Sequence, residues 1–368
     1  MLAEVVDAVV GIDTHRDTHH VEIALPTGAP TATCTITNDT RGYAGLLAWI
    51  AEHAPGPRLA VSIEGTRSYG VGVARAVTAA GLPVIEAEQP TRKSRRGRGK
   101  SDPIDAHLAV QFALQLPLDR LPTPRADGDR DALRILLDAR HDLTVTSTAQ
   151  INRLRALLRD GGGDGDNGHD DGDDGDDDGR LARGALTDAT LTTLARRRLP
   201  HDATRAQAVR HAEIRRLAMA VREARRALAA NRAQLQTIVD DLAPGLTDRR
   251  GVGPVVAAQV VVSFSHPGRV RSDAAFAALA GASPLEASSG QTVRHRLNRG
   301  GDRALNRALH TIALTRMASC PRTRAYVARR RAEGKTSREI RRCLKRYIAR
   351  ELYRALTNTM ITNVETPA

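Results

Sequence analysis

The spacing of apolar residues in the first ninety positions predicts alternating strands and helices. Three short apolar or alternating runs, which are typical of strands, come first, and a turn at residues 26–28 joins the second run to the third. A helix, a strand, a second helix and a further strand are predicted to follow. The predicted strands are Val5–Asp13, His20–Leu25, Thr31–Thr37, Leu59–Glu64 and Pro83–Glu86, and the predicted helices are Thr40–Glu52 and Tyr69–Ala80.

This order of elements favours one α/β fold over another. A doubly wound nucleotide-binding fold alternates strand and helix from its first strand, where it also carries a glycine-rich turn, and neither feature is present. An RNase H-like sheet begins with three strands and continues through crossover helices. The sequence therefore predicts an RNase H-like, Holliday-junction-resolvase-like N-terminal domain at residues 1–125.

Long helices are predicted for the middle of the chain, at residues 126–241. Asp129–Arg159 and Leu186–Asp241 carry apolar residues three and four positions apart, which indicates a helical hairpin or coiled coil that could mediate self-association. A segment at 160–179 with ten Asp interrupts this region. It matches neither of the common calcium-binding loop patterns, so we expect a disordered acidic linker.

A small, mostly α-helical C-terminal domain is predicted at residues 242–358, followed by a tail at 359–368. The prediction rests on a change of composition at residue 242 and on helical spacing beyond it. Its expected parts are a turn at Gly251–Gly253, an apolar run Val255–Phe264, a helix Asp273–Ala280, a loop Gly281–Gly301 and two basic helices that reach Asn358.

Charge and composition indicate a polyanionic partner. The formal net charge is +13 and the pI is near 10.6, and residues 291–358 hold 19 Arg and Lys against 4 Asp and Glu. Aromatic residues make up only 2% of the chain, which argues against platforms that stack bases. Three scattered cysteines indicate neither a zinc site nor disulfides, and no apolar run could span a membrane. We expect a soluble cytoplasmic protein.

Four carboxylates occupy positions that a folded core could bring together. Asp13 and Glu64 end two predicted strands, and Asp102 and Asp105 begin a predicted helix. Strand ends and a later helix meet at one point in an RNase H-like sheet, and residues three apart share a helix face. Each residue also fits a structural role, such as a helix cap at Asp102. Together they predict a Mg²⁺ site for phosphodiester chemistry, because the ion would relieve their mutual repulsion.

A serine pair lies in the C-terminal loop. Ser288 and Ser289 precede Gly290, and serine before glycine is most often a turn residue. The arginines that follow favour a catalytic interpretation, since guanidinium groups stabilise the oxygens of a phosphate under attack. These arginines are Arg294, Arg296, Arg299 and Arg303.

Two further segments are candidates for binding phosphates. The loop Arg92–Lys100 is either a surface loop or a phosphate-binding loop, and its candidate contacts are Arg95, Arg96, Arg98 and Lys100. The Gly251–Gly253 segment is either a plain turn or a helix-hairpin-helix turn whose backbone N–H groups bind phosphate. The histidines His15, His19 and His20 are interpreted as surface residues, since no acidic or cysteine ligands complete a metal site around them.

Taken together, the motifs resemble one family. Over nearly the whole chain, their order and spacing resemble the DEDD-type transposases of bacterial insertion sequences, which are serine-dependent recombinases guided by a bridge RNA. The motifs are GIDTHRDTHHVEIAL, SIEGTRSYG, GKSDPIDAHLA, RGVGPVVAAQ and GASPLEASSGQTVRHRLNRGGDRALNRALH.

This resemblance implies specific roles for the residues. A Mg²⁺-binding tetrad falls on Asp13, Glu64, Asp102 and Asp105, and the nucleophile falls on Ser289, with Ser288 as the neighbouring alternative. The resemblance also implies double-stranded donor and target DNA, a structured noncoding guide RNA, a homodimer or tetramer, and an active site assembled from two subunits. The acidic insertion departs from the family pattern and leaves the continuity of the coiled coil open.

Two alternatives remain open from the residues alone. The first is a metal-dependent, structure-specific nuclease in which water attacks and Ser289 is a turn residue. The second is a non-catalytic protein that binds RNA or DNA. A covalent protein–DNA adduct would distinguish the recombinase from the nuclease, since hydrolysis leaves no such adduct.

Overall fold

Five strands near the N-terminus form one mixed sheet. The strands are β1 (Ala8–Thr14), β2 (Thr18–Ala24), β3 (Pro30–Thr37), β4 (Leu59–Glu64) and β5 (Val84–Ala87). Their order in the sheet is β3-β2-β1-β4-β5. β1 pairs antiparallel with β2, and β2 pairs antiparallel with β3. β1 also pairs in parallel with β4, which pairs in parallel with β5. All five predicted strands are thus confirmed to within a few residues at their ends.

The structure is a computed structural model, and it describes most of the chain. The described residues are 1–87, 102–118, 121–124, 128–161, 181–199, 201–286, 295–296, 298 and 300–364, without the side chains of 102, 160–161, 286, 295–296 and 361–364. The predicted acidic linker at 160–179 lies almost wholly outside these residues.

Helices cover both faces of the sheet. Helices α1 (Thr40–His53) and α2 (Val71–Ala79) lie on one face, where Val10, Ile12 and their neighbours form an apolar core. Helix α3 (Asp102–Leu114) covers the other face. Because strand side chains alternate between faces, the α3 face receives the odd-numbered positions of β1, which include Gly11 and Asp13. This alternation decides which polar residues α3 buries.

The middle of the chain includes the helices α4 (Gly128–Gly161), α5 (Asp188–Arg196) and α6 (Arg205–Leu242). The prediction of one continuous helical stretch over Leu186–Asp241 is therefore wrong. Arg197 leaves the helical conformation, and Thr204 starts α6 with a reciprocal cap. In this cap the Thr204 N–H donates to Gln207 Oε1 at 2.8 Å and the Gln207 N–H donates to Thr204 Oγ1 at 3.3 Å.

The C-terminal part is mostly helical and has one more helix than the sequence predicts. Cys320 has an extended backbone and Pro321 then begins a new helix, since proline suits a first helical position. A pair of two-residue strands, β6 and β7, was also not expected in the loop before these helices. The elements are α7 (Pro254–Phe264), α8 (Asp273–Leu279), β6 (Leu285–Glu286), β7 (His295–Arg296), α9 (Arg303–Ser319), α10 (Pro321–Ala332) and α11 (Ser337–Val364).

The chain divides into two compact units. Met1–Arg134 and Val239–Ala368 form the first, so the sheet and the C-terminal helices belong to the same unit. Within it, the Arg130 guanidinium donates to Ser265 Oγ at 3.1 Å, which links the start of α4 to the end of α7. Ile135–Ile238 form the second unit, around an apolar core that includes Leu154, Leu191 and Leu217. None of the described helices has the length and apolar character needed to cross a membrane.

Candidate active site

Two buried carboxylates lie side by side at the ends of the paired strands β1 and β4. The parallel register pairs Ile12 with Ile63, so Asp13 and Glu64 occupy the next facing positions. Asp13 is 6% exposed and Glu64 is 8% exposed. Carboxylates this deeply buried are costly to desolvate unless other groups compensate their charge, and such positions often have a functional reason.

Helix α3 brings a third predicted carboxylate to the same face. A Cβ atom added to Gly11 would lie 2.3 Å from the Ala106 carbonyl oxygen, so α3 packs directly on the backbone of β1. The Ser62 hydroxyl donates to the Ala109 carbonyl at 2.7 Å and fixes α3 along β4. Asp105 precedes Ala106 and is 4% exposed. Asp13, Glu64 and Asp105 therefore share the α3 face at the same end of the sheet.

The surroundings of this carboxylate face are polar. His15 Nε2 lies 3.1 Å from Asp13 Oδ2, and the Thr14 hydroxyl donates to the Glu64 carbonyl oxygen at 2.8 Å. The side chain of Asp102 lies outside the described residues, as does the basic loop with Arg95, Arg96, Arg98 and Lys100. Within the described part of the chain, no three His, Cys, Asp or Glu side chains are arranged to hold one metal ion.

One acidic residue of this face was missed by the sequence analysis. Glu22 on β2 faces Gly11 of β1, is 5% exposed, and lies 2.7 Å from Nδ1 of His107 on α3. Two signals could have found the pair: Glu22 occupies a core-facing position of an alternating strand, and His107 follows Asp105 by two residues. The pair extends the polar face from β1 to β2.

The interpretation of the three histidines as surface residues is wrong for His19. This side chain is fully buried and stacks on the Tyr43 ring, with a centroid separation of 6.2 Å. Burial lowers the pKa of His19, and a hydrogen bond to the Thr18 carbonyl opposes that shift. His19 lies on the opposite face of the sheet from Asp13, so it belongs to the packing of α1 and not to the carboxylate face.

The serine loop is described only at its base. Ser288, Ser289, Arg294 and Arg299 lie outside the described residues, and Arg296 is placed in β7 without its side chain. The two ends of the loop meet at Gly281 and Gly301, both with positive φ. A Cβ atom on Gly301 would lie 2.4 Å from the Leu279 carbonyl oxygen, so this approach requires glycine.

Asp302 joins the base of the loop to helix α9. Its Oδ1 accepts the N–H groups of Ala304 and Leu305, both at 2.9 Å, and its Oδ2 accepts the Ser263 hydroxyl at 2.6 Å. The predicted phosphate ligand Arg303 begins α9 and is exposed. One carboxylate thus fixes the position at which the loop ends.

The turn at Gly251 and Gly253 exposes a helix start. Gly251 has φ +83, and a Cβ atom there would lie 3.3 Å from the Ile312 carbonyl oxygen of α9. Gly253 caps α7 through its backbone alone, Pro254 takes the first helical position, and open space surrounds Gly253. The N–H groups in the first turn of a helix lack intrahelical partners and suit an anion, although Pro254 supplies none.

Two family models match the chain in sequence order. One, described as a transposase and belonging to the DEDD type of the IS110 group, matches residues 10–161. The other, described as the transposase IS116/IS110/IS902 family, matches residues 244–328. The matches define the class as transposase, and together they span more than half of the chain. The chain belongs to the IS110 family of DEDD transposases.

Two relatives from Streptomyces coelicolor match parts of the chain. One, an uncharacterised 43.6 kDa protein of the insertion element IS110, is 38% identical over 120 residues, which are 32% of this chain and 29% of the relative. The other, named as a candidate mini-circle transposase for IS117, is 30% identical over 156 residues, which are 41% of this chain and 37% of the relative. The chain thus spans about a third of the length of these relatives.

Proposed function

We propose that this chain is a DNA transposase that cuts and rejoins strands of donor and target DNA. The observation that supports this most strongly is that Asp13, Glu64 and Asp105 lie together where α3 packs on the sheet. Strand register fixes the first two, and the contact at Gly11 fixes the third. The sheet order, three antiparallel strands followed by two parallel ones, agrees with the predicted RNase H-like fold, in which such an acidic site is expected.

The oxygen donors of the carboxylate face suit a divalent cation, although the described side chains are not arranged around a single ion, so binding would require them to move closer together. Its ligands would be oxygen atoms of Asp13, Glu64 and Asp105, with Asp102 as the fourth member three residues before Asp105 on the same helix. When bound, Mg²⁺ neutralises charge on the phosphate under attack. The protein residues supply the rest: the apolar sheet beneath them limits water, and His15 holds Asp13 in place.

Ser289 is the proposed nucleophile. Attack by its Oγ forms an oxygen–phosphorus bond and breaks the bond from phosphorus to one sugar oxygen, which leaves as a hydroxyl after taking up a proton. The Ser289 proton passes to a base. Attack by a sugar hydroxyl of the second strand then releases the serine, so no oxidant or energy source is needed. Arg294, Arg296, Arg299 and Arg303 would stabilise the charged phosphate.

Nucleic acid is proposed to bind through its backbone on both halves of the chain. The open start of α7 at Gly253 and the loop with Arg95, Arg96, Arg98 and Lys100 are the proposed phosphate contacts. The family resemblance adds a structured guide RNA, and the long helices α4 and α6 are the proposed coiled-coil, self-association segments of a dimer or tetramer.

A covalent-adduct assay tests this proposal. The full chain is incubated with Mg²⁺, DNA carrying the element ends, and RNA transcribed from the flanking noncoding segment. We expect a protein–DNA adduct that survives denaturation and is lost in Ser289→Ala but kept in Ser288→Ala. Asp17→Asn, which changes an exposed carboxylate next to β1, is the matched control. Cut DNA without any adduct would instead identify a nuclease that uses water.

A further inference from the structure

Lys345 is a buried ammonium group in a chain that has only four lysines. It lies on α11, is 8% exposed, and donates from Nζ to Asn306 Oδ1 of α9 at 2.8 Å. No carboxylate among the described residues pairs with it. An amide oxygen accepts one of its three protons but carries no charge, so the positive charge itself is uncompensated.

The ionisable groups that interact with Lys345 are basic as well. Arg341 and Arg342 lie on the same helix, and His310 lies on α9 within electrostatic reach. Burial lowers the pKa of Lys345, and the two arginines lower it further. Burial and the neighbouring Lys345 and Arg341 also lower the pKa of His310. These shifts have one cause in common: positive charge is concentrated in a place that solvates it poorly.

Further along the C-terminal helices, carboxylates pair with several arginines. Asp273 accepts Arg350 at 3.1 Å and Arg354 at 2.9 Å, and Glu351 pairs with Arg316 at 2.7 Å. These pairs involve the later turns of α11, beyond Lys345. Glu339, nearer the start of α11, interacts with Arg342. Lys345 therefore differs from these arginines, because no carboxylate among the described residues pairs with it.

Lys345 lies near the base of the serine loop, to which Asn306 connects it. Asn306, which accepts from Lys345, donates from Nδ2 to the Ala280 carbonyl at 2.5 Å. The next residue, Gly281, would place a Cβ atom 2.9 Å from the Gly300 carbonyl, where the two ends of the loop meet. His310 and Arg341 keep part of their side chains exposed, so an anion can approach from their side.

We propose that Lys345, His310 and Arg341 form an anion site that binds one phosphate of a nucleic-acid backbone at the base of the serine loop. A phosphate carries negative charge and several acceptor oxygens, which would pair with these N–H donors. The choice of nucleic acid rests on the proposed function, whereas the anion site itself does not. A bound phosphate there would hold a strand beside the loop that carries Ser289.

Thermal unfolding with inorganic phosphate tests the site. The full chain and its variants are unfolded in phosphate or in chloride at equal ionic strength. We expect phosphate to raise the midpoint of the unaltered protein by at least about 2 °C and to leave Lys345→Met unshifted. In chloride, Lys345→Met should be at least as stable as the unaltered protein, because it removes an uncompensated buried charge. Lys335→Met, which removes an exposed lysine, is the matched control and should respond to phosphate normally.

Binding to duplex DNA gives a second measurement. Lys345→Met should bind about tenfold more weakly, since a charged hydrogen bond is lost. Its affinity should also fall less steeply with salt, by about 0.9 in the log–log slope. Arg341→Gln, at a half-buried position, should also weaken the response to phosphate. It is the alternative test of the anion site if Lys345→Met does not fold.

Two results would overturn the proposal. An equal phosphate response in Lys345→Met and Lys335→Met would exclude the site. A Lys345→Met protein that unfolds earlier in chloride yet keeps its phosphate shift would assign Lys345 a purely structural role towards Asn306. Neither result depends on Ser289, so a failure of the adduct assay and a failure of the anion site remain distinguishable.

Discussion

The sheet and the C-terminal helices bury charge of opposite sign and fix it by different means. On the sheet, strand register places Asp13 beside Glu64, and close backbone packing at Gly11 adds Asp105. In the helices, individual side chains do this work: Asp302 caps α9 and Asn306 accepts a hydrogen bond from Lys345. The carboxylate face therefore depends on the packing of the backbone, whereas the basic site depends on individual side chains.

The largest expected effect is on the acidic side. Asp13→Asn keeps the size of the side chain and removes its charge, so the fold should survive while Mg²⁺-dependent strand exchange falls by more than about a hundredfold. Adduct formation with the full chain and DNA measures this loss. Asp17→Asn should keep normal activity. Equal activity in the two variants would show that the carboxylate face takes no part in the reaction.

Gly11→Ala tests whether backbone contact holds α3 in place. The added Cβ would lie 2.3 Å from the Ala106 carbonyl oxygen, so α3 must move, at a cost of about 2–3 kcal/mol in the free energy of unfolding. Gly45→Ala in α1 is the control. Nothing lies within 4 Å of its added Cβ, so it should gain about 0.5–1 kcal/mol from helix propensity. Denaturant unfolding measures both, and equal stabilities would contradict the described packing of α3.

Asp302→Ala tests how far the base of the serine loop depends on one side chain. Losing the cap of α9 should lower the free energy of unfolding by about 1–2 kcal/mol and should also reduce adduct formation, because the loop end shifts. Thr187→Ala removes a comparable cap from α5, at a similar cost in stability. Normal adduct formation in both variants would show that Asp302 does not position the serine loop.

The smallest expected effect concerns pH. Hydrogen bonds from Arg316, followed by those from Arg249, lower the pKa of Glu351 below its ordinary value of 4.5. A carboxyl group whose pKa is lower in the folded than in the unfolded state stabilises the fold at pH values above its unfolded-state pKa. This contribution is lost as the pH falls through the folded-state pKa. Glu351→Gln should therefore flatten the loss of stability below about pH 4.5, as measured by urea unfolding at pH 7 and pH 4. If the variant loses as much stability between pH 7 and pH 4 as the unaltered protein, the ion pairs of Glu351 contribute nothing to stability.

The sequence predicts the sheet well because strand patterns are local. All five strands follow from short apolar or alternating runs, and the end of β4 at Glu64 matches the prediction. Side-chain alternation also predicts that Asp13 and Glu64 share a face once the two strands pair. The α3 contact at Gly11 is less visible, since a glycine in a strand has several explanations.

The helical part is predicted less well, because its details depend on long-range contacts and on single residues. The break between α5 and α6 depends on the Thr204 cap, and the break before α10 depends on Pro321. The sequence does not distinguish Lys345 from the other basic residues of its helix. Only its packing against Asn306, 39 residues earlier, reveals it as buried. Glu22 and His107 are likewise brought together across 85 residues.

Binding of Mn²⁺, a spectroscopic substitute for Mg²⁺, tests the central claim most directly. The full chain is titrated and free Mn²⁺ is followed by electron paramagnetic resonance, with no need for DNA or a guide RNA. If Asp13, Glu64 and Asp105 act together on one ion, the unaltered protein and Asp17→Asn bind Mn²⁺ equally, and both Asp13→Asn and Asp105→Asn lose this binding. Equal binding by all four proteins would contradict a shared metal site beneath α3.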